Sequence, residues 1–264
     1  MAEITIKDIS PADEYYVGCC THINESEEMD RSSKRRINWF HTMYDKGLKI
    51  KVAILDNKQV GFAYSMPIET CPCMFIGEKL LAIPCLFVEF KFQKLGIGKM
   101  LLNSIIEEAD RNKYDGIVTD GFYVDWWYMP APFFLKHGFE IVQQHESRAT
   151  LILKFRDSVK IPELAGDSFV KYTFKPIEDK VVVDLFWNPF CFTSDLEAER
   201  VREVVAEYGG KVILNDYNAA ENNNMRTFKS FRAIYINGVP IKVGEETSKK
   251  TVRNRINEEL LKLT

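Results

Sequence analysis

The opening residues MAEITIKDIS alternate apolar and polar positions, which predicts a strand over 3–9 with one solvated face. Helical spacing follows over 12–23, with Tyr15, Tyr16, Cys19 and Ile23 on one side, and again over 32–45, where Gly47 ends the helix. Two strands at 48–55 and 59–68 flank a tight turn at Asp56, Asn57 and Lys58. Residues 80–90, LLAIPCLFVEF, are apolar almost throughout, as a strand buried on both faces is. Pro84 interrupts that run. A proline cannot donate to a ladder, so its presence predicts a bulge or a local opening in the sheet. After Gly98 a helix is predicted from Leu101, Leu102, Ile105, Ile106 and Ala109, then a strand over 115–121. An aromatic segment over 122–139 and apolar stretches around 141–142 and 149–155 complete this half.

Periodicity lapses over 156–180, where prolines, a glycine and mixed charge predict a domain boundary, and then restarts. A strand is expected over 181–187 and a helix over 194–208 with Val201, Val204, Val205 and Tyr208 inward. A strand over 211–217 and a short helix or loop over 219–230 come next. A hairpin over 232–243 turns at Asn237 and Gly238, and a helix over 247–263 buries Val252, Ile256 and Leu260. The expected organisation is a domain over 1–156, a linker over 157–180 and a small α/β domain over 181–264.

A hydrophobic content of 46% over 264 residues supplies real cores and excludes disorder as the main state. The formal charge is −3, with 20 basic and 22 acidic residues through Lys160 and 15 and 16 beyond it. Neither half has the basic excess of a phosphate-backbone binder, so nucleic acid is not expected as the primary partner. No run of 18 apolar residues predicts a membrane span, and the N-terminus lacks a signal-peptide core. Six cysteines without scaffold spacing fit a reduced, cytoplasmic protein, in which the sequon at Asn24 has no role.

The most informative stretch is Val88-Glu-Phe-Lys-Phe-Gln-Lys-Leu-Gly-Ile-Gly-Lys99, a buried strand running through a two-glycine loop into a helix. The first turn of a helix leaves backbone N–H groups unpartnered at the positive end of its dipole. Glycines let that backbone approach an anion closely, which suits a phosphate or pyrophosphate. A Walker loop is excluded because Met100 stands where it needs a hydroxyl and no glycine lies five positions before Gly98. A dinucleotide fingerprint is excluded because position 101 is leucine.

What remains is Gln93-x-x-Gly96-x-Gly98, preceded by Leu86-x-Val88 and followed by an amphipathic helix and a later LKHGF segment at 135–139. In that order these elements resemble the Gln/Arg-x-x-Gly-x-Gly/Ala signature of the GNAT superfamily of N-acetyltransferases, over about residues 1–156. The resemblance implies a mixed, mostly antiparallel sheet flanked by helices, acetyl-CoA as co-substrate and no metal. It implies that the amides of Leu95, Gly96, Ile97, Gly98 and Lys99 hold the pyrophosphate, with Gln93 in the signature and Lys94 or Lys99 adding charge. The strand edge at Phe87 and Val88 would bind the pantetheine arm, and the Val88 N–H would face the thioester carbonyl.

Many relatives carry a tyrosine acid four residues before the glycine of the closing Gly-Phe pair, but here that position is Phe134. Either another phenol substitutes or the chemistry is altered. Tyr123 and Tyr128 are the nearest phenols in sequence, Tyr128 preferred, and both also fit a core or substrate-wall role. The glutamate some relatives place eleven residues before the signature is Ala82, leaving Glu69, Glu78 and Glu89 as candidate bases, with Glu89 nearest the transfer point. Phe122, Tyr123, Trp126, Trp127 and Tyr128, with Asp120 or Asp125, form a candidate pocket for an ammonium acceptor. The four histidines lack ligand spacing, and Cys71-Pro72-Cys73 lacks the companion pair a metal site needs.

In the second half, Trp187-Asn188-Pro189-Phe190-Cys191 between a strand and a helix resembles the thioredoxin-like W-C-x-x-C turn, and 232–240 resembles that fold's later hairpin. Asn188 replaces the attacking cysteine and Arg232 the usual cis-proline. Dithiol exchange needs two sulfurs, so disulfide reductase activity is not expected, while Cys19 and Cys20 are expected to pack on a helix. Cys191 at a helix start is a candidate for acting alone. The whole arrangement is similar to the YoaP-like acetyltransferases. The function expected is acetyl transfer to an unidentified small-molecule or peptide amine. The alternatives are a non-catalytic acyl-CoA-binding adaptor and a monothiol redox protein built on Cys191.

Overall fold

The structure, a computed structural model, describes residues 3–73, 75–124, 128–164, 172–221, 232–241 and 247–263. Part of the 219–230 and 232–243 expectations, and Asp125, Trp126 and Trp127 of the expected acceptor pocket, lie outside the described residues. Contacts divide the chain into two compact units, Met1–Val17 with Phe40–Leu164, and Gly18–Trp39 with Ala165–Thr264. No described helix is long and apolar enough to cross a membrane.

The first unit is built on a sheet of β1 (Ile4–Asp8), β2 (Lys49–Leu55), β3 (Lys58–Pro67), β5 (Leu80–Val88), β6 (Gly116–Phe122), β8 (Arg148–Lys154) and β7 (Glu140–His145), in that spatial order. All neighbours are antiparallel except β5 and β6. A parallel pair needs a crossover, and α3 (Ile97–Arg111) supplies it. Its inward stripe, Ile97, Leu101, Leu102, Ile105 and Ala109, is at most 1% exposed, and each larger side chain contributes roughly 1.5–3 kcal/mol by leaving water. The mixed, mostly antiparallel sheet flanked by helices is the architecture that the family resemblance implies. A short pair not anticipated there joins β4 (Phe75–Ile76) to β9 (Glu163–Leu164).

Pro84 acts as its chemistry demands. The β5–β6 ladder runs from Leu80 opposite Gly116 to Ile83 opposite Thr119 and stops there, one residue before the proline. On the other side β5 stays paired with β3 to Val88, with a register shift between Tyr64 and Met66. Beyond Ile83 the two central strands therefore part.

The helix expected over 12–23 is shorter and broken. A 3₁₀ turn at Pro11–Asp13 leads into α1 (Glu14–Gly18), and positive φ at Cys20, Thr21 and Asn24 turns the chain. A Cβ on Gly18 would lie 2.8 Å from Ile37 and Ser33 atoms, so the chain passes α2 at glycine distance. The next helix begins earlier than expected, as α2 (Glu27–Tyr44). Ser26 Oγ accepts from Met29 N–H at 3.2 Å, and Glu27, Glu28 and Asp30 complement the dipole. That first turn is wholly polar apart from Met29, which hides it from an apolar periodicity.

The second unit carries strands in the order β11 (Val212–Asn218), β10 (Val181–Trp187), β12 (Ala233–Ile236) and β13 (Val239–Ile241). The β10–β11 pair is parallel and the others antiparallel. Between β10 and β11 runs α5 (Phe192–Ala206), and α6 (Lys249–Leu260) closes the same core, with Val201, Val204, Val252 and Ile256 fully buried. The hairpin turns at Asn237 and Gly238, φ +49 and +77, as a two-residue turn requires. Residues 18–39 join this unit instead of the N-terminal segment around them. Asp195, 2% exposed, accepts from Ser32 Oγ at 2.7 Å and Arg35 Nη2 at 2.8 Å. Arg200 pairs with Glu28 at 2.9 Å.

Asp13, 1% exposed, illustrates how the first unit handles a buried charge. Burial pushes its carboxyl up, but Lys7, Ser10 and Gln59 together outweigh that and hold it at about 2, against an ordinary 3.8. Its stabilisation is therefore complete above about pH 4 and is lost as pH falls through about 2, about 2 kcal/mol in all. Asp13→Asn is expected to lose that amount at neutral pH and to flatten the acid limb, as urea midpoints from about pH 7 down to about pH 2 would show.

Candidate functional site

The link from β5 to α3 is a 3₁₀ turn at Phe90–Phe92, then Gln93, Lys94 at φ +64, Leu95, and Gly96 at φ +84 as the N-cap. Gln93 Nε2 donates to Val88 O at 3.2 Å, so the signature glutamine ties the loop back to the strand end. Met100 N–H, bonded to Gly96 O at 3.1 Å, starts the helical pattern. Among the described residues the N–H groups of 95–99 find no acceptor, as the first turn of a helix leaves them. Lys94, Leu95, Gly96 and Lys99 are exposed, so side chains do not plug the mouth.

A Cβ on Gly96 would meet no atom within 4 Å, so glycine is required there for its φ alone. At Gly98 a Cβ would lie 3.5 Å from the Phe133 ring, an ordinary contact.

A cavity of about 550 Å³ opens beside this mouth. Val88, Gln93, Lys94, Gly96, Ile97, Gly98 and Lys99 line it, with Leu86, Met129 and α4 (Ala131–Lys136) and its end as the opposite wall. Phe87 and Leu95 are not in the lining. Phe87 pairs with Phe62, and a Cβ on Gly61 would come 2.6 Å from its carbonyl, so its backbone is committed to β3. Glu89 N–H bonds Val60 O on that same side, and strand alternation turns the Val88 N–H toward the parting. Leu86 N–H, which faces the parting too, lies 3.0 Å from Met129 Sδ.

The expected catalytic residues scatter. Tyr128 O–H donates to Pro84 O at 3.0 Å, at the apex where β5 and β6 separate; its ring leans on Phe122, and it too lies outside the cavity lining, next to Met129, which is in it. Tyr123 is 38% exposed, bonds Ser147 O through its N–H and does not line the cavity. Glu89 accepts from Tyr16 O–H at 3.0 Å and pairs with Lys91 at 3.2 Å, also outside the lining. Glu69 caps Lys79 N–H and Glu78 pairs with Lys160 at the surface. Phe134 is fully buried, edge-on to Phe133 and Phe139. Asp120 is gripped by Arg148 at 2.6 Å, and burial pushes its carboxyl up against that pull. Burial likewise raises the Cys71 thiol, and no group of metal ligands occurs among the described residues.

The sequence pattern missed the opposite wall. The Phe133 and His137 rings meet at a tilt of 47° with centroids 4.6 Å apart, and His137 Nδ1 lies 2.7 Å from Phe133 O, which orients the imidazole. Lys136 and His137 join Lys94 and Lys99 around the cavity. Both residues lie in the LKHGF segment at 135–139, which the resemblance implies only as a helix-to-strand turn, and they stand at i+3 and i+4 from Phe133 on a short helix.

Residues 46–141 match the acetyltransferase (GNAT) domain. The matched acetyltransferase segment contains β5, the loop, α3 and α4, and thus every wall of the cavity. No curated protein matches the chain. Solved structures similar to it include the PaiA N-acetyltransferase of Thermoplasma acidophilum in complex with coenzyme A, 14% identical, covering 58% of this chain and 99% of its own at a TM-score of 0.41. A GNAT-family acetyltransferase of Staphylococcus aureus is 17% identical over 58% and 100%, TM-score 0.43. One of Elizabethkingia anophelis with acetyl-CoA bound is 17% identical over 58% and 98%, TM-score 0.37.

Gly96→Ala is expected to cost about 1–2 kcal/mol through left-handed strain alone. Gly98→Ala, inside the helix, is expected to be neutral or stabilising by up to about 1 kcal/mol. Urea denaturation of the two variants checks the contrast.

Proposed function

We propose that the protein transfers an acetyl group from acetyl-CoA to the nitrogen of a small-molecule or peptide amine, by direct attack on the thioester, in the cytoplasm. The observation that carries this reading is the run of unengaged N–H groups at 95–99, on an open helix mouth beside a parted strand. A diphosphate fits that donor array, with Lys94, Lys99 and Lys136 around it. The parting beyond Ile83 is a slot for an extended arm, and the domain match over 46–141 supports the assignment.

In this reading Val88 N–H polarises the thioester carbonyl, since Phe87 is turned to β3 and Leu86 is held by Met129. As the amine nitrogen bonds the carbonyl carbon, the carbon–sulfur bond breaks and the departing sulfur needs a proton. Tyr128 supplies it, because its O–H stands at the fork while Phe134 has no proton to give. The amine loses its own proton to water or to a carboxylate. None of Tyr128, Tyr123 and Glu89 lines the cavity; only Tyr128 is bonded at the strand parting, and Glu89 serves to anchor Tyr16.

Within residues 1–156 the transferase domain of this proposal is the part that excludes 18–39, which contacts group with the second unit; 157–180 is a linker and 181–264 a thioredoxin-like appendage, in the manner of the YoaP-like acetyltransferases. Support for the appendage comes from its strand order, one parallel pair joined by α5 and then two antiparallel neighbours.

Calorimetric titration of acetyl-CoA is expected to show binding by the native chain and at least a tenfold loss in Gly96→Glu, whose carboxylate repels the phosphates. Equal affinity would remove the pocket assignment. Tyr128→Phe is expected to lower kcat about 10²–10⁴-fold with affinity for acetyl-CoA retained, read as coenzyme A thiol released with an amine panel. Release at the native rate would remove Tyr128 as the acid. Tight binding without release on any amine would favour the acyl-CoA-binding adaptor.

A further inference from the structure

The turn Trp187-Asn188-Pro189-Phe190-Cys191 has one sulfur, and Asn188 in place of the other is structural. Its Oδ1 accepts from Cys191 N–H at 2.9 Å, and its own N–H donates to Ser194 Oγ at 3.1 Å. Within the same unit, however, a second sulfur is brought to this turn by the segment 18–22. Arg36, 2% exposed, donates from Nε to Phe190 O at 2.9 Å and from Nη1 to Gly18 O at 3.3 Å, joining the two backbones. Four residues on, the His22 ring stacks on Phe192 at 5.2 Å and 15°. These contacts bracket Cys20 on one segment and Cys191 on the other. Positive φ at Cys20 and Thr21 folds the first segment between its two anchors.

We propose that Cys20 and Cys191 are a redox-active pair that closes to a disulfide, restoring across two segments the dithiol that the turn itself lacks.

Both thiols are half-buried and unbridged, whereas the neighbouring Cys19 is fully buried. Cys191 Sγ lies 3.3 Å from Thr193 Oγ1, which accepts from Arg232 Nη1 at 3.0 Å, so the residue at the usual cis-proline position holds the sulfur's neighbour. Burial pushes the Cys20 thiol up, the Arg36 guanidinium bonded to it pulls the other way, and charge on Cys191 pushes it up further. The oxidant class is a low-molecular-weight disulfide. Cys191 sulfur, as thiolate, attacks one of its sulfurs and expels the other as thiolate. Cys20 sulfur then attacks Cys191 Sγ in the mixed disulfide and expels the second. Two cysteine thiols are oxidised, one small disulfide is reduced to two thiols, and the protons exchange with solvent. Because the Cys20 thiol sits above its usual range, closure accelerates as pH rises.

The test is a non-reducing tryptic map of the full chain after exposure to oxidised glutathione and alkylation of remaining thiols. The expected product links 8–31, which holds Cys19 and Cys20, to 181–200, which holds Cys191. It should persist in Cys19→Ala and vanish in Cys20→Ser and in Cys191→Ser. Absence of the link from the native chain, glutathione on Cys191 without closure, or a link surviving Cys20→Ser would each overturn the pairing. The native map stands even if a variant fails to fold.

Discussion

Proline has no N–H to offer a neighbouring strand, and at position 84 it sits in the middle of the most deeply buried strand of the first unit. The ladder to β6 ends at the residue before it, while the ladder to β3 continues for four residues beyond. One strand is thus held firmly on one side and released on the other. The released side is where Val88 presents its N–H, where Tyr128 reaches Pro84 O, and where the loop to α3 begins. Without that separation, Val88 would be spent on a strand neighbour and the α3 mouth would face a closed sheet.

The α3 N-terminus adds the second half of the geometry. Gly96 alone can adopt φ +84 without strain, and the helix it starts is anchored by a fully apolar stripe against the sheet. Rigid packing below and unengaged amides above make a preorganised donor array, and such an array costs little to reorganise when an anion arrives. Gln93 contributes by fastening the loop to Val88 O, which links the array to the strand that bears the other donor.

The second unit is organised by buried charge as well as by its valine core. Asp195, Glu197 and Arg36 are nearly inaccessible, and each is paired with groups that are far away in sequence. Removing one member would leave the other uncompensated, so these pairs specify which segments join the unit. They also explain why 18–39 groups with 165–264, and how a cysteine near the N-terminus comes beside the 187–191 turn.

Periodicity and loop chemistry by themselves determined the strand–loop–helix from 80 to 111, the opening at Pro84, the hairpin at Asn237 and Gly238, and the open helix mouth. Each depends on a residue's own covalent limits, a missing N–H, a missing Cβ or an apolar stripe, and such limits act locally. Tertiary structure decided the rest. Phe87 turned to β3, Glu89 went to Tyr16, Tyr128 reached the fork while Tyr123 did not, and α4 supplied a wall with Lys136 and His137. It also ended α1 at Gly18, where the chain passes close against Ile37, and placed Cys20 between anchors on Phe190 and Phe192. Those outcomes depend on which of several chemically equivalent side chains finds a partner across the fold, and a partner dozens of residues away leaves no trace in local spacing.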